Sequence, residues 1–291
     1  MPENWCPFCP GSGRVPDHYD VYLYPNDFPA FSFQNAPYSP ERGLFCTTGA
    51  QGACDVVLYS PDHNLPPSQL PVEQWVKVID LWTRRTAELA LHEVVQYVQI
   101  FENTGVAIGV TMPHPHGQIY AFPFLPPLVQ TEIDSAAEHH QSHRECLYCR
   151  ILAGELADGR RVIASNGSFV AFLPFFGRFP TEVSIYPQRH LVSLSDLTAT
   201  EIQDLAAMIG IVRRKYDKLY GFQMPLMMMV RQAPVRGGHP YFHFHVEFLP
   251  IQRSAKKLKY LAGVESGTGT FLNDTRAEEQ AARLREIDPR G

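Results

Sequence analysis

His114-Pro115-His116-Gly117-Gln118-Ile119-Tyr120-Ala121 and, 129 residues further on, His243-Phe244-His245-Val246-Glu247-Phe248 are two versions of one pattern. Each places two histidines two residues apart at the head of a run with the composition of a β-strand. Side chains two apart point to the same face of a strand. His114 and His116 therefore share a face when extended, as do His243 and His245.

Working outward, the chain reads as an internal duplication. Each half opens on a Cys-x-x-Cys pair, Cys6-Pro7-Phe8-Cys9 and Cys146-Leu147-Tyr148-Cys149. Each continues with a β-type run that ends in proline and histidine, 55–63 and 182–190. A helix is expected from about Leu70 to His92 and from about Asp196 to Tyr220. In the second, Thr198 and Glu201 have the spacing of a capping box, and Leu205, Met208, Ile209 and Val212 recur at helical intervals. Strands are expected at Val94–Phe101 and Leu226–Val230, followed by the two His-x-His strands. The fold class is α+β: two homologous halves, each an antiparallel sheet with a crossing helix. The expected division is 1–125 for the first half, 126–145 for a polar, helical linker, 146–251 for the second half, and 252–291 for an extension with a helix near 276–287.

Composition narrows the function classes. The chain has 291 residues, 45% hydrophobic and 19% charged, with a net charge of −5. That balance gives no support for nucleic-acid binding; Lys256, Lys257 and Lys259 form the one short basic cluster, read as a solvated face. No run approaches the roughly 18 apolar residues of a membrane span. The first residues have no basic region leading into an apolar core, so no signal peptide is expected and the cytoplasm is the default location. Six cysteines in a chain of this length do not suggest a disulfide scaffold. Cys46 and Cys54 stand apart as plain thiols.

The other four cysteines have metal-ligand spacing. Cys6, Cys9, His63 and His114 make a Cys₂His₂ set, and Cys146, Cys149, His190 and His243 repeat it in the same order. Zinc favours four such ligands in a tetrahedron. A closed four-ligand site leaves no position for substrate, so both sites are expected to be structural.

That assignment separates the two histidines of the first motif. His114 goes to metal and leaves His116 as a nucleophile, for which a neutral imidazole is well suited near neutral pH. One ring nitrogen must attack, while the other should donate its proton to a fixed acceptor such as a backbone carbonyl. Gly117 would let a phosphate approach the backbone. Gln118 would offer an amide donor to a nonbridging phosphate oxygen. The second copy carries Glu247 where the first has Gln118, and a carboxylate repels an anion. The active site is thus expected in the first half, with His245 packing, supporting the metal or lying between the halves.

These residues, together with Phe101-Glu102-Asn103-Thr104-Gly105, Asn26-Asp27-Phe28, Ser60-Pro61-Asp62-His63 and Gly263-Val264-Glu265, resemble the galactose-1-phosphate uridylyltransferase family, a branch of the histidine-triad superfamily. The resemblance implies a ping-pong exchange of UMP between UDP-glucose and galactose 1-phosphate, with a uridylyl-histidine on His116 and Gln118 steadying the phosphate. It implies that Asn26, Asp27 and Phe28 hold the uridine, that Asn103, Gly109 and Thr111 line the phosphate path, and that Glu265 contacts the sugar. A homodimer with shared sites is a further implication. Some members hold iron in the second half through a glutamate and three histidines. Glu132, His243 and His245 match that set here, but Arg231 takes the remaining place, so a second zinc is expected instead. Two alternatives share the residues: an ADP-glucose or dinucleoside-polyphosphate phosphorylase, and a non-catalytic, zinc-stabilised nucleotide-binding module.

Overall fold

The computed structural model describes residues 5–35, 44–45 and 47–290; Cys46 lies outside them. The first half lays down β1 (Tyr22–Pro25), β2 (Ala53–Leu58), α1 (Val72–Ala90), β3 (Tyr97–Thr104) and β4 (His116–Phe122). Next come α2 (Pro127–His143), α3 (Leu147–Asp158), β5 (Val162–Ser165), β6 (Phe169–Phe172), β7 (Val183–Pro187), α4 (Ala199–Tyr220), β8 (Leu226–Arg231) and β9 (His245–Pro250). The C-terminal region adds a short pair, β10 (Gln252–Ser254) and β11 (Lys257–Leu258), then α5 (Gly263–Thr268) and α6 (Ala277–Glu286).

Nine strands form one sheet in the order β1-β2-β4-β3-β8-β9-β7-β6-β5. Every neighbouring pair is antiparallel. From the centre outward the order is β3-β4-β2-β1 on one side and β8-β9-β7-β6 on the other, so equivalent strands occupy equivalent places. The halves meet where β3 pairs with β8, Ile100 opposite Val230 and Asn103 opposite Met227.

Alternation along the strands sorts side chains to two faces. One face of the whole sheet carries Val57, Ile100, Ile119, Met228, Val230, Val246 and Phe248. These pack with Trp75, Ile79 and Trp82 of α1 and with Leu205, Met208, Ile209 and Val212 of α4 in one core. Fully burying a side chain of this size contributes roughly 1.5–3 kcal/mol. The opposite face of the second half is covered by α2 and α3. Val129, Ile133 and Ala136 of α2 meet Tyr97, Tyr148, Phe172 and Tyr186 there, so the polar linker carries a buried stripe. On the first half, among the described residues, that face holds a small cluster, Cys6, Phe8, Val15 and Tyr24 against Val56 and Leu58. Among the described residues, His116, Gln118 and Tyr120 of β4 are half-buried on that face.

Two departures from the sequence reading have physical causes. β3 begins and ends three residues later than expected. Val94 and Val95 close the turn after α1, with Val95 N bonded to His92 O at 3.0 Å. The strand then runs on to Thr104 because it stays paired with β8 as far as Leu226, with the buried Glu102 matched by Arg213 of α4 at 2.6 Å. Lys259, placed above on a solvated face, is buried and paired with Glu265 at 3.0 Å.

The expected cap of α4 is present. Thr198 Oγ1 accepts from Glu201 N, and the Glu201 carboxylate accepts from Thr198 N at 2.8 Å and from the Arg189 guanidinium at 2.9 Å. The Arg189 contact holds the Glu201 carboxyl down at about 2. Thr198→Ala is expected to lower unfolding free energy by ~1 kcal/mol, read from the urea midpoint. Glu201's contribution is present at neutral pH, because its folded value lies below the ordinary 4.5. It should fade as pH falls from about 4.5 towards about 2; a midpoint difference between the parent and Glu201→Gln that persisted unchanged into that range would contradict it.

Candidate active site

His116 opens β4, one residue beyond the Pro115 that separates it from His114. Its Nδ1 lies 2.7 Å from the His114 carbonyl oxygen. A carbonyl only accepts, so Nδ1 must carry the proton and Nε2 the lone pair. This is the tautomer the sequence reading asked for. The Phe8 ring packs on both imidazoles, 6.0 Å from His114 and 5.6 Å from His116. The same ring meets Tyr24 of β1 at 5.3 Å. The Cys-x-x-Cys segment thus braces the nucleophile candidate directly, a role that its phenylalanine did not signal in sequence.

A cavity of about 300 Å³ opens beside His116. Its wall includes Glu102, Asn103, Thr111, His114 and, from the second half, Gln223. Asn103 and Thr111 therefore stand with His116. Gly109 belongs to the loop between them and takes φ +88° where it ends a 3₁₀ turn. Gln118 follows His116 on the same face of β4, opposite Phe101. Asn26, Asp27 and Phe28 follow β1 outside this cavity. Asp27 bonds Arg14 and Tyr24, Asn26 Oδ1 accepts from Phe28 N, and the Phe28 ring is 92% exposed. Glu265 lines a different cavity with Lys259 and Tyr260. Lys259 holds its carboxyl down at about 2.

Gly117 serves another purpose than the one expected. A Cβ there would stand 2.1 Å from Tyr59 Oη and 3.1 Å from the Phe101 carbonyl oxygen. It points to the helix side of the sheet, where the fully buried Tyr59 fills the space. The glycine is required by Tyr59 beneath the strand rather than by a phosphate above it.

The eight expected metal ligands come together in two groups of four, with all ligand atoms of each group within 4.8 Å of one another. In the first, Cys9 Sγ is 3.5 Å from His63 Nδ1 and 3.7 Å from His114 Nδ1, and Cys6 Sγ is 3.8 Å from His114 Nδ1. In the second, Cys149 Sγ is 3.3 Å from His190 Nδ1 and 3.4 Å from His243 Nδ1. Sulfur and nitrogen ligands on a tetrahedral zinc are about 3.6 Å apart, so both sets fit. Three of the four histidines turn Nε2 to a carbonyl: His114 to Ser60, His190 to Pro240 and His243 to Pro187. That leaves Nδ1 unprotonated towards the thiols, as a ligand requires. Burial pushes His114 down to about 4 and His243 to about 3, favouring neutral imidazoles. Burial and the neighbouring cysteine push Cys9 up to about 11 and Cys149 to about 12, so these thiols need a cation to ionise.

The register shows what became of the same face in the second half. Arg231 lies opposite His245 and Met229 opposite Glu247. Extending the β3–β4 register puts Asn103 opposite His116. His116, Gln118 and Asn103 are thus replaced by His245, Glu247 and Arg231. His245 is buried under Tyr148 and Tyr186, at 5.3 and 4.8 Å. Arg231 bonds Glu247 at 2.8 Å and reaches Glu132 of α2 at 3.6 Å. Burial works against ionisation of Glu247, yet the Arg231 guanidinium holds its carboxyl at about 2. A guanidinium has no lone pair to give, so Glu132, Arg231, His243 and His245 do not fit iron.

Comparison with known proteins agrees with this layout. The model for galactose-1-phosphate uridyl transferase, N-terminal domain, matches residues 2–126, and that for the C-terminal domain matches residues 132–290. A galactose-1-phosphate uridylyltransferase of Thermotoga maritima is 40% identical over 287 residues, covering 97% of this chain and 89% of the relative. A solved uridylyltransferase superposes with a TM-score of 0.92 at 35% identity, over 98% of this chain and 91% of the other. An ADP-glucose phosphorylase of Arabidopsis thaliana superposes at 0.83 with 25% identity, over 99% and 92%.

Gly117→Ala should test the packing beneath the strand. Forcing a methyl against Tyr59 is expected to cost about 1–3 kcal/mol, seen in chemical denaturation. Adding Tyr59→Phe, which removes the nearest atom, should recover part of it. Additive losses in the double variant would show that the two residues do not meet.

Proposed function

The chain belongs to the galactose-1-phosphate uridyl transferase family and is a nucleotidyltransferase of that kind; on this footing we propose that His116 carries the uridylyl group. His116 Nε2 attacks the α-phosphorus of UDP-glucose. The bond from that phosphorus to the bridging oxygen breaks, and glucose 1-phosphate leaves with the electron pair. A phosphate oxygen of galactose 1-phosphate then attacks the same phosphorus, the P–N bond breaks, and UDP-galactose leaves. The observation that carries this reading is the 2.7 Å contact of His116 Nδ1 with the His114 carbonyl. It holds the attacking tautomer, and it opposes the positive charge that the ring gains when Nε2 bonds phosphorus.

The other roles follow. Gln118 donates to a nonbridging oxygen as charge grows there, a contribution of about 3–4 kcal/mol for one well-placed donor. Asn103, Gly109 and Thr111 guide the phosphates, and Asn26, Asp27 and Phe28 hold the uridine. In the proposed homodimer, Glu265, which lies outside the His116 cavity of its own chain, contacts the sugar in the partner's site. Cys6, Cys9, His63 and His114, and again Cys146, Cys149, His190 and His243, would each hold a structural zinc ion, and His114 and His243, fixed as ligands, would keep their carbonyls in place. The proposed division remains 1–125, 126–145, 146–251 and 252–291.

Incubation with UDP-glucose labelled in the α-phosphate should leave acid-labile label on the protein, discharged by galactose 1-phosphate. His116→Ala should carry none, and label surviving that change would overturn the assignment. Label obtained only from ADP-glucose would point to a phosphorylase, and no label from either to a binding module. Gln118→Ala should slow label transfer by ~10²–10³-fold.

Metal content should be two zinc per chain. Cys9→Ser and Cys149→Ser should each lower it by one, and loss at Cys9 should also slow labelling of His116. Equal effects of the two variants on labelling would contradict the link between the first group and His116.

A further inference from the structure

The loop that joins β3 to β4 holds two apolar residues with different surroundings. Val106 and Ile108 share a 3₁₀ turn, closed by Ile108 N on the Gly105 carbonyl at 3.1 Å and by Gly109 N on that of Val106 at 2.9 Å. Val106 is 86% exposed and stands in the wall of the His116 cavity with Val110 and Thr111. Ile108 instead packs on a small core of the second half, Phe179, Leu249 and Ile251, which Met227, Met229 and Leu258 also join. Register shows where that core lies. Asn103 of β3 is opposite Met227 of β8, and Met227 is opposite Leu249 of β9. Directly paired side chains point to one face. Asn103, Met227 and Leu249 therefore form a row across the seam, on the face that carries His116.

The loop thus leaves β3 beside the cavity, sets Ile108 on the second half, and returns to the cavity at Val110 and Thr111. Its start is close-fitting as well. Gly105 takes φ +92°, and a Cβ there would lie 3.1 Å from Pro225 Cβ, just before β8. We propose that Ile108 is a positioning residue for the donor's phosphates: seated on Phe179, Leu249 and Ile251, it fixes the course of the loop and with it Gly109 and Thr111. The inference rests on the reading of that loop as the phosphate path. It gives the second half a part in the reaction, although its own imidazole is buried. An apolar seat suits the task, because it holds the backbone without adding a charge or a hydrogen-bonding group near the phosphates. When the seat is lost, the loop can shift, and a displacement of about 1 Å can slow a reaction on the order of a hundredfold.

The test uses the full-length protein with Ile108→Ala, Ile108→Met, Leu249→Ala and the double variant Ile108→Ala/Leu249→Ala. One measurement is the single-turnover rate at which saturating UDP-glucose, labelled in the α-phosphate, labels His116. The other is the affinity for uridine, which carries no phosphate, by calorimetry. Ile108→Ala should slow labelling about tenfold or more, with uridine affinity changed less than about twofold. Ile108→Met keeps an apolar side chain of similar volume and should label within about threefold of the parent. Leu249→Ala removes the other side of the contact and should slow labelling without moving uridine. The double variant should be slower than the slower single by no more than about twofold, because both changes remove one contact.

A labelling rate in Ile108→Ala equal to the parent's overturns the proposal. So does a loss of uridine affinity in step with labelling, which is what general loosening would give. Slowing in the double variant equal to the product of the two singles means that Ile108 and Leu249 do not share a seat, and overturns it too. If Leu249→Ala does not fold, the two Ile108 variants decide: equal slowing in Ile108→Ala and Ile108→Met overturns the role of the apolar contact. The labelled adduct on the parent protein is a separate reading. Its absence would sink the uridylyl-histidine and this role with it, whereas label indifferent to Ile108 would sink this role alone.

Discussion

The carbonyl of His114 governs the site. It accepts the Nδ1 proton of His116 at 2.7 Å and belongs to a residue whose own side chain faces two cysteines. A metal held by that side chain would immobilise the carbonyl, and the carbonyl fixes the ring. The second half repeats the contact, His245 Nδ1 to the His243 carbonyl at 2.9 Å. The His-x-His pattern is thus a device with two functions, a ligand and an oriented imidazole, built from one turn of backbone at the start of a strand. In such an arrangement the ligand-binding knot supports the chemical apparatus by orienting it.

With the device present twice, the difference between the halves lies around it. In the first, a half-buried imidazole stands beside two neutral amides, Asn103 and Gln118, on a face that the N-terminal cluster covers only in part. In the second, the same three places hold a buried imidazole and the pair Arg231–Glu247, with Glu132 added from α2. Neutral donors suit an anion that comes and goes. An ion pair satisfies itself and leaves nothing for a ligand, so α2 and α3 can close over it. Duplication supplied a stable sheet of nine strands, and only one side of its centre needed to stay open.

Much of this was legible because it depends on periodicity and repetition. The two helices and the gathering of the eight cysteines and histidines follow from spacing that occurs twice, and the capping box at Thr198 from its own local pattern. The tautomer of His116 follows from the chemistry of imidazole. Other features have no local signal. Phe8 braces His116 through a contact between residues over a hundred positions apart. Gly117 was read as making room for a phosphate because nothing in sequence shows that Tyr59 passes beneath it. Glu102 was quoted only as part of a motif. Arg213 left a faint trace, a charge among the buried positions Met208, Ile209, Val212 and Tyr216, and that trace becomes interpretable once a buried carboxylate is expected opposite. Lys259 was misplaced for the same reason: its partner Glu265 is supplied by a later turn of chain.

The seam between β3 and β8 has a consequence for the protein's birth. β3 is complete by residue 104 of 291, and its outer row of N–H and C=O groups has no partner until β8 has been made, 127 residues after Thr104 by the distance to Arg231. At about 5–20 residues per second, that interval is roughly 6–25 seconds. Throughout it the nascent first half offers a bare, half-apolar strand edge, the kind of template on which chains join one another. Glu102, without Arg213 until α4 is made, puts one unpaired charge at the seam during that interval. The ion pair that ends inside the finished core would begin as a guard on an unfinished edge.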